Sequence, residues 1–491
     1  MSKRIYRLCA KACIIFCLVI FTSQCFAQSS SVSAKEAADS SLKYLRIIGS
    51  VYNFAQQNFV DEVDARRLYE GAMKGMLEAL GDPYTVYFNT EEMKRFNETT
   101  MGSFGGVGLS ITKRESSTAD VLPYVYVISA LENTPGARAG ILPGDYIKEV
   151  DGVSTAELSL QEATDKMRGQ VGTSVELTVL RNKNIEFKKK LVRALIEVAS
   201  VKYDMIGSFG YLHILQFSPE TARRVEEAID FFKQHNFTGL VIDLRNDGGG
   251  FMTSAIEIAD KFIDSGPIVS TKSRFEFENS VYNAHVDKTT FPRGIPIAIL
   301  INKGTASASE ILAGALKDNH LAYLIGENSY GKGSVQQFIP LSENDGIKLT
   351  IARYYSPSDA NIDKIGIPPD REVLFPVLSD EEGKIFSDLM KSDAIKDYVD
   401  VHPDMTERDI TAYAVELQRQ YKLDLRTLRR LVRLNATFLK GGFVYDTDYD
   451  VQLNAAVDML KNEDFQMLMK STRTLKELEA SRQPADDGTK S

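Results

Sequence analysis

The sequence predicts a multidomain α+β protein: an N-terminal helical segment, a β-rich domain, an α/β core and a C-terminal helical extension. Three observations lead there. At 491 residues the chain is too long for one compact core. Between Tyr203 and Pro376 apolar strand runs alternate with helical stretches, and beyond Ser379 the periodicity is helical. The composition, 43% hydrophobic and 25% charged, excludes disordered, collagen-like and disulfide-scaffold classes.

Residues 1–27 read as a secretory signal. Lys3, Arg4, Arg7 and Lys11 precede an apolar run, Ala12–Phe21, and Cys25-Phe26-Ala27 offers a small-x-small cleavage site. The run is short for a membrane span; cleavage and retention as an anchor both stay open. All four cysteines (Cys9, Cys13, Cys17 and Cys25) fall inside this segment. A chain cut after Ala27 therefore lacks disulfides, thiolate ligands and a thiol nucleophile. The reading places an exported protein in the periplasm or cell envelope, soluble or in peripheral contact with a membrane. A formal charge of −9 argues against a nucleic-acid partner.

Residues 28–100 form the N-terminal helical region, opening on a Ser/Ala-rich lead-in. Leu68, Ala72, Met76 and Leu80 and the adjacent row Tyr69, Met73, Leu77 make one apolar stripe. Gly81-Asp82-Pro83 ends that helix. Residues 101–195 form the β-rich domain, with glycines before Leu109–Ile111, strands at Tyr124–Ser129 and Asp145–Asp151, a helix at Ser159–Met167, and alternation at Val175, Leu177 and Val179. Residues 196–376 form the α/β core. Its strands are Gly210–Phe217, Gly239–Leu244 and Pro296–Ile301, and its helices Glu220–Gln234, Ser254–Ile263 and Ser307–Asp318. Residues 377–491 are helical with a polar, disordered tail. The basic row Arg426, Arg429, Arg430, Arg433 faces water or a second copy in a homo-oligomer built through these helices.

Five histidines (His213, His235, His285, His320, His402) show no metal-ligand spacing, and no glycine loop carries a nucleotide signature. No metal and no cofactor is expected. Two segments carry candidate chemistry. In residues 302–313 an apolar strand breaks at Gly304 and a helix begins, leaving Ser307 near its first turn. Free amides and the helix dipole there can stabilise an oxyanion. Plain capping, with Ser307 and Glu310 as a capping box, explains the same residues. In residues 330–336 Lys332 stands between two glycines. Lysine is a general base only as the neutral amine, which takes burial, and Gln336 could hold that amine by hydrogen bonding. The alternative is a solvated lysine in a glycine turn.

Together these segments resemble the C-terminal processing peptidases, or tail-specific proteases. The family's Ser-Ala-Ser-Ala-Ser-Glu signature is similar to Thr305–Glu310, and its Gly-Lys-Gly-x-Val-Gln to Gly331–Gln336. Its Asp-Leu-Arg-Asn-Asn-Pro-Gly-Gly resembles Asp243–Gly250, with Asp247 and Gly248 departing from the pattern. The resemblance implies Ser307 as nucleophile, Lys332 as general base, Gln336 as its orienting partner, and Gly249, Gly250 and Ala308 as oxyanion-hole donors. The β-rich domain resembles a PDZ domain, with Gly105, Gly106, Val107, Gly108 and Leu109 as the carboxylate-binding loop. Arg168 resembles a gating residue, though a solvated turn arginine fits equally.

The implied function is a serine endopeptidase with a Ser/Lys dyad. It cleaves exported proteins near apolar or unstructured C-termini held by the PDZ-like domain. The alternatives are a non-catalytic exported PDZ protein that holds C-terminal tails and, more weakly, an ester or lactam hydrolase.

Overall fold

The computed structural model describes residues 42–113, 122–131, 134–342, 344–376, 378–392, 394–438 and 444–482. The expected signal, the lead-in and the tail after 482 lie outside the described residues. The chain divides into two compact units.

The first unit takes its described residues from 42–89 and from 339–348. Residues 42–58 are helical, and a second helix, Ala65–Glu78, starts where the Asp64 carboxylate accepts the Arg66 amide at 2.8 Å. The predicted stripe splits: Leu77 is buried, whereas Met76 and Leu80 are exposed. The inward row carries Tyr69, whose hydroxyl donates to Asp345 Oδ2 at 3.0 Å beside that of Tyr87 at 2.9 Å. Tyr87 lies on a short strand, Val86–Phe88, antiparallel to residues 346–348.

The second unit takes in residues 90–338 and 349–482. It opens with the β-rich domain. An antiparallel sheet runs in the order Leu109–Thr112, Val125–Ala130, Tyr146–Val150, Ser174–Arg181, Ile185–Val192. Val125, Val127, Ile147, Leu177 and Val179 pack from it against Ala163 and Met167 of the helix Leu160–Met167. A two-stranded ribbon, Ser103–Gly106 with Ala194–Glu197, closes the domain.

We number the strands of the central sheet β1 (Val201–Ile206), β2 (Phe209–Ile214), β3 (Gly239–Asp243), β4 (Ile297–Ile301), β5 (Tyr323–Gly326) and β6 (Arg371–Glu372). They lie side by side in chain order, and all pairings are parallel except β1 with β2. Helices α1 (Thr221–Gln234), α2 (Met252–Ala259) and α3 (Ala308–Asp318) are the crossovers. Right-handed crossovers between strands in sequential order place every helix on one face. Leu240, Ile242 and Ile299 accordingly meet Ile229, Ile258 and Leu312.

The other face still needs cover, because Val241, Ala298, Leu300 and Ile325 alternate onto it. The chain's end supplies that cover. Helices α4 (Val451–Asn462) and α5 (Phe465–Ser471) lay Leu453, Ala456, Met459 and Met469 across it, and α6 (Leu475–Arg482) reaches round to α3. The C-terminal helices thus fall into two groups. Residues 380–438 are a separate four-helix layer with its own core around Leu389, Ile410, Ala414 and Leu428, whereas 451–482 complete the α/β core. Three arginines of the basic row find partners within the chain. Arg433 pairs with Glu407 at 2.6 Å and Asp446 at 3.0 Å, Arg429 pairs with Asp448 at 3.2 Å, and Arg430 lies over Tyr449. Arg429, Arg430 and Arg433 thus bind acids and a tyrosine of the same chain.

Candidate active site

Strand β4 consists of five buried aliphatic positions and is followed by Asn302. The turn after it is tight. A Cβ at Gly304 would lie 2.8 Å from Asn246 Cα. Asn302 and Asn246 bond reciprocally: the Asn246 amide donates to Asn302 Oδ1 at 2.9 Å, and Asn302 Nδ2 donates to Asn246 Oδ1 at 3.0 Å. Thr305 Oγ1 donates to the Leu244 carbonyl at 2.8 Å, and the Ala306 amide to that of Asp247 at 3.0 Å. The loops leaving β3 and β4 are thus stapled together at the carboxyl ends of the strands, where sites of α/β sheets form.

Ser307 sits at the junction with α3, at φ 59° and ψ −116°. A non-glycine residue there is strained and persists only where its surroundings hold it. Glu310 does much of the holding. Its carboxylate is 1% exposed and accepts four donors: Ser329 Oγ at 2.5 Å and the Gly331 amide at 2.7 Å on Oε1, and the amides of Ser307 at 2.8 Å and Lys332 at 2.9 Å on Oε2. Burial pushes its pKa up, and the four hydrogen bonds oppose that rise. Sequence reasoning had given Glu310 only a capping role. Its i, i+3 spacing from Ser307 was the visible signal; its grip on the distant glycine loop left none. Tyr354, whose hydroxyl donates to the Ser307 carbonyl at 3.3 Å, went unnoticed for the same reason.

The glycines around Lys332 are demanded by close approach. A Cβ at Gly331 would lie 2.7 Å from the Gly366 nitrogen, and one at Gly333 would lie 2.7 Å from the Asp363 nitrogen. The turn at 363–366 therefore packs over both flanks, leaving Lys332 half-buried. Gln336 Nε2 donates to Ser334 Oγ at 2.8 Å and Thr350 Oγ1 at 3.2 Å.

Gly249 lies against Ser307, and Gly250 follows it against Phe217. A Cβ on Gly249 would lie 2.7 Å from the Ala308 nitrogen and 2.9 Å from Ser307 Cβ. The Gly249 amide, however, donates to Asp247 Oδ1 at 2.8 Å. Gly250 forms a parallel bridge with Phe217, through bonds made by the Gly249 carbonyl and the Phe251 amide. That pattern turns the Gly250 amide away from Phe217. Ala308, as the first residue of α3, has an amide with no partner inside the helix. Asp247 is itself unusual: it is 1% exposed, its Oδ2 is buried without a hydrogen-bond partner, and burial pushes its carboxyl up to about 7.

In the β-rich domain, Gly105 and Gly106 fall within the ribbon strand, Val107 and Gly108 make the loop, and Leu109 begins the next strand. The Gly136 amide donates to the Val107 carbonyl at 2.7 Å, and the Leu131 amide donates to that of Gly108 at 2.9 Å. Each trans peptide plane then aims the opposite amide, of Gly108 and Leu109, the other way. Arg168 lies 4.0 Å over the Phe104 ring, and the next amide, of Gly169, donates to the Gly105 carbonyl at 3.0 Å. Among the described residues no cluster of His, Cys, Asp or Glu could hold a metal ion, and no helix is long and apolar enough to cross a membrane.

Comparison with known proteins agrees with this architecture. Peptidase family S41 matches residues 208–373, a PDZ domain matches 126–181, and the N-terminal domain of the activating protease CtpB matches 10–92. The carboxy-terminal-processing protease of Bartonella bacilliformis is 39% identical over 342 residues, covering 68% of this chain and 76% of that protein. The carboxy-terminal processing protease CtpB of Bacillus subtilis is 33% identical over 349 residues, 70% of each. Among solved structures, a photosystem II D1 C-terminal processing protease is 27% identical with a TM-score of 0.39, covering 66% of this chain and 92% of that one. The chain belongs to the C-terminal processing peptidases, serine proteases of family S41 that carry a PDZ domain.

Proposed function

We propose that Ser307 and Lys332 form the catalytic dyad of this peptidase. The observation that carries the reading is Glu310: one carboxylate oxygen accepts the backbone amides of both residues, so the two chain segments meet at one point. Neutral Lys332 takes the Ser307 proton as Oγ attacks the scissile carbonyl. The resulting acyl-enzyme is then hydrolysed by water activated through the same amine. Gln336, its amide nitrogen committed to two hydroxyls, turns its carbonyl oxygen to the Lys332 amine and orients it. The developing oxyanion is met by the amides of Ala308 and Gly250. Gly249 serves by its lack of a side chain, since its amide is already engaged by Asp247.

The substrate's terminal carboxylate binds the amides of Gly108 and Leu109, and its last residues add a strand beside Leu109–Thr112. Substrates are exported proteins with apolar or unstructured C-termini, met in the periplasm or cell envelope. Arg168, stacked on Phe104 beside the carboxylate loop, couples tail binding to the core. Self-association and peripheral membrane contact belong to this proposal at the level of the whole molecule, and sedimentation and vesicle flotation test them. The dyad is tested with wild type, Ser307→Ala and Lys332→Ala on an unstructured protein with an apolar C-terminus. Both variants should lose cleavage. A Ser307→Ala enzyme as fast as wild type ends the proposal, and undiminished cleavage of a C-terminally amidated substrate ends the tail-capture part.

A further inference from the structure

The second face of the central sheet carries a charge cluster that the mechanism above does not use. Asp243, at the end of β3, alternates onto that face and is 2% exposed. The Tyr211 hydroxyl donates to its Oδ2 at 2.8 Å. Two positions on, the Arg245 guanidinium folds back to the same carboxylate, Nε to Oδ1 at 2.9 Å and Nη2 to Oδ2 at 2.5 Å. Its outer edge is met by the start of α4. Nη1 donates to Asp450 Oδ1 at 2.8 Å and to Gln452 Oε1 at 3.0 Å, and Nη2 donates to Asp450 Oδ2 at 2.6 Å. A guanidinium has five N–H donors, and here all five are used. Three of them depend on residues 450–452.

Those residues are fixed in turn. Asp450 Oδ1 also caps α4 by accepting the Leu453 amide at 2.9 Å, and Gln452 Nε2 donates to the Val373 carbonyl at 2.7 Å beyond β6. Arg245, held from both sides, is the last residue before the oxyanion loop. Asn246 follows at φ 59° with its amide on Asn302, then Asp247 with its carbonyl on Ala306 and Ser309, then Gly249 against Ser307. Hydrogen bonds on Arg245 and the short covalent run 245–249, itself bonded to the β4 loop, therefore join α4 to Ser307.

We infer that Asp450 is a positioning residue for the oxyanion loop, acting through the bidentate clamp on Arg245. The start of α4, outside the S41-matched stretch 208–373, is then a working part of the peptidase site. The inference rests on the assignment of Ser307 and the Gly250 amide made above. With Asp450 removed, two or more guanidinium donors lose their acceptor and the loop relaxes around Asn246. The oxyanion amides drift while the peptide-binding surfaces stay in place, so turnover suffers more than substrate binding.

The test compares Asp450→Ala, Asp450→Asn and Glu463→Gln in the full chain. Glu463, at the far end of α4, pairs with Arg371 at 2.7 Å and leads away from the loop, so its loss loosens the same helix without touching the clamp. Two rates are read: steady-state peptide cleavage, and phosphonylation of Ser307 by a fluorophosphonate, whose adduct also places an oxygen in the oxyanion hole. Asp450→Ala should lower kcat and phosphonylation together by about ten- to a hundredfold, with KM changed less than about threefold, since one lost oxyanion donor costs about 10²–10³ in rate. Asp450→Asn, which keeps one acceptor, should fall between, and Glu463→Gln should match wild type. Should Asp450→Ala not fold, Asp450→Asn is judged by the same criterion. Wild-type kcat in the Asp450 variants overturns the inference, as does an equal loss in Glu463→Gln. An active Ser307→Ala control would instead overturn the dyad beneath it.

Discussion

Glu310 Oε2 accepts the Lys332 amide at 2.9 Å, across 22 positions of sequence. The same oxygen holds the Ser307 amide, so the carboxylate is a shared knot for two chain segments. Glu310→Gln puts an NH₂ where two donors need an acceptor, the Ser307 and Lys332 amides on one oxygen or the Ser329 hydroxyl and Gly331 amide on the other. Leaving buried donors unpaired costs about 1–3 kcal/mol each. The variant should lose about 100-fold or more in kcat and unfold at lower urea. Peptide cleavage and urea denaturation check it, and near-wild-type turnover in a folded protein would refute the knot.

Asp247 occupies a position where the family pattern has Asn. Its carboxyl is pushed up to about 7 by burial, so between roughly pH 4 and 7 it is protonated when folded and ionised when unfolded. Folding then takes up a proton, and this group's contribution to stability falls as pH rises through that window. Asp247→Asn removes the titration while keeping an acceptor for the Gly249 amide. It should therefore gain on wild type at pH 8 relative to pH 5, on the order of a few kcal/mol. Urea melts of both proteins at the two pH values decide it. An equal difference at both would show that Asp247 does not titrate there.

Much of the core was legible because its strands are buried on both faces. The run Gly239–Leu244 is observed as Gly239–Asp243, Pro296–Ile301 as Ile297–Ile301, and the helix Ser307–Asp318 as Ala308–Asp318. The strand Ile185–Val192 was missed because Lys188, Lys189 and Lys190 interrupt the alternation of Ile185, Phe187 and Leu191. The short β5 escaped as well. At the candidate site, local spacing brought Ser307, Lys332 and the neighbouring glycines forward as candidates. Asp450 and Tyr354 gave no signal, since they reach the site only through tertiary packing. The acids folded against Arg433 in the basic row were not legible, because a one-dimensional pattern shows charge but not its tertiary partners.

The stack of Arg168 on Phe104 gives the gating proposal a physical partner. A cation over an aromatic face contributes about 0.5–1 kcal/mol at such a site. Phe104→Ala and Arg168→Ala should each raise KM for a substrate with a free apolar C-terminus by a few fold. The double variant should be no worse than either single one. Cleavage of the same substrate with an amidated terminus should respond little. Fully additive losses in the double variant would mean that the two side chains act separately.

Cutting the chain at 376, where the sequence motifs end, removes more than an appendage. It strips Leu453, Ala456, Met459 and Met469 from the sheet and bares Val241, Ala298, Leu300 and Ile325 on one contiguous face. It also leaves the Arg245–Asp243 pair, at 10% and 2% exposure, without Asp450. Val241, Leu300 and Ile325 each forfeit about 1.5–3 kcal/mol of burial, and the summed loss approaches the whole stability of a domain. The truncated protein should aggregate on expression and bind a hydrophobic dye. A chain ending at 482 should remain soluble and melt as the full chain does, since α6 still reaches Asp318 through the Leu475 amide at 2.7 Å. A soluble, cooperatively melting 1–376 fragment would show instead that the second face of the sheet does not depend on α4 and α5 for its cover.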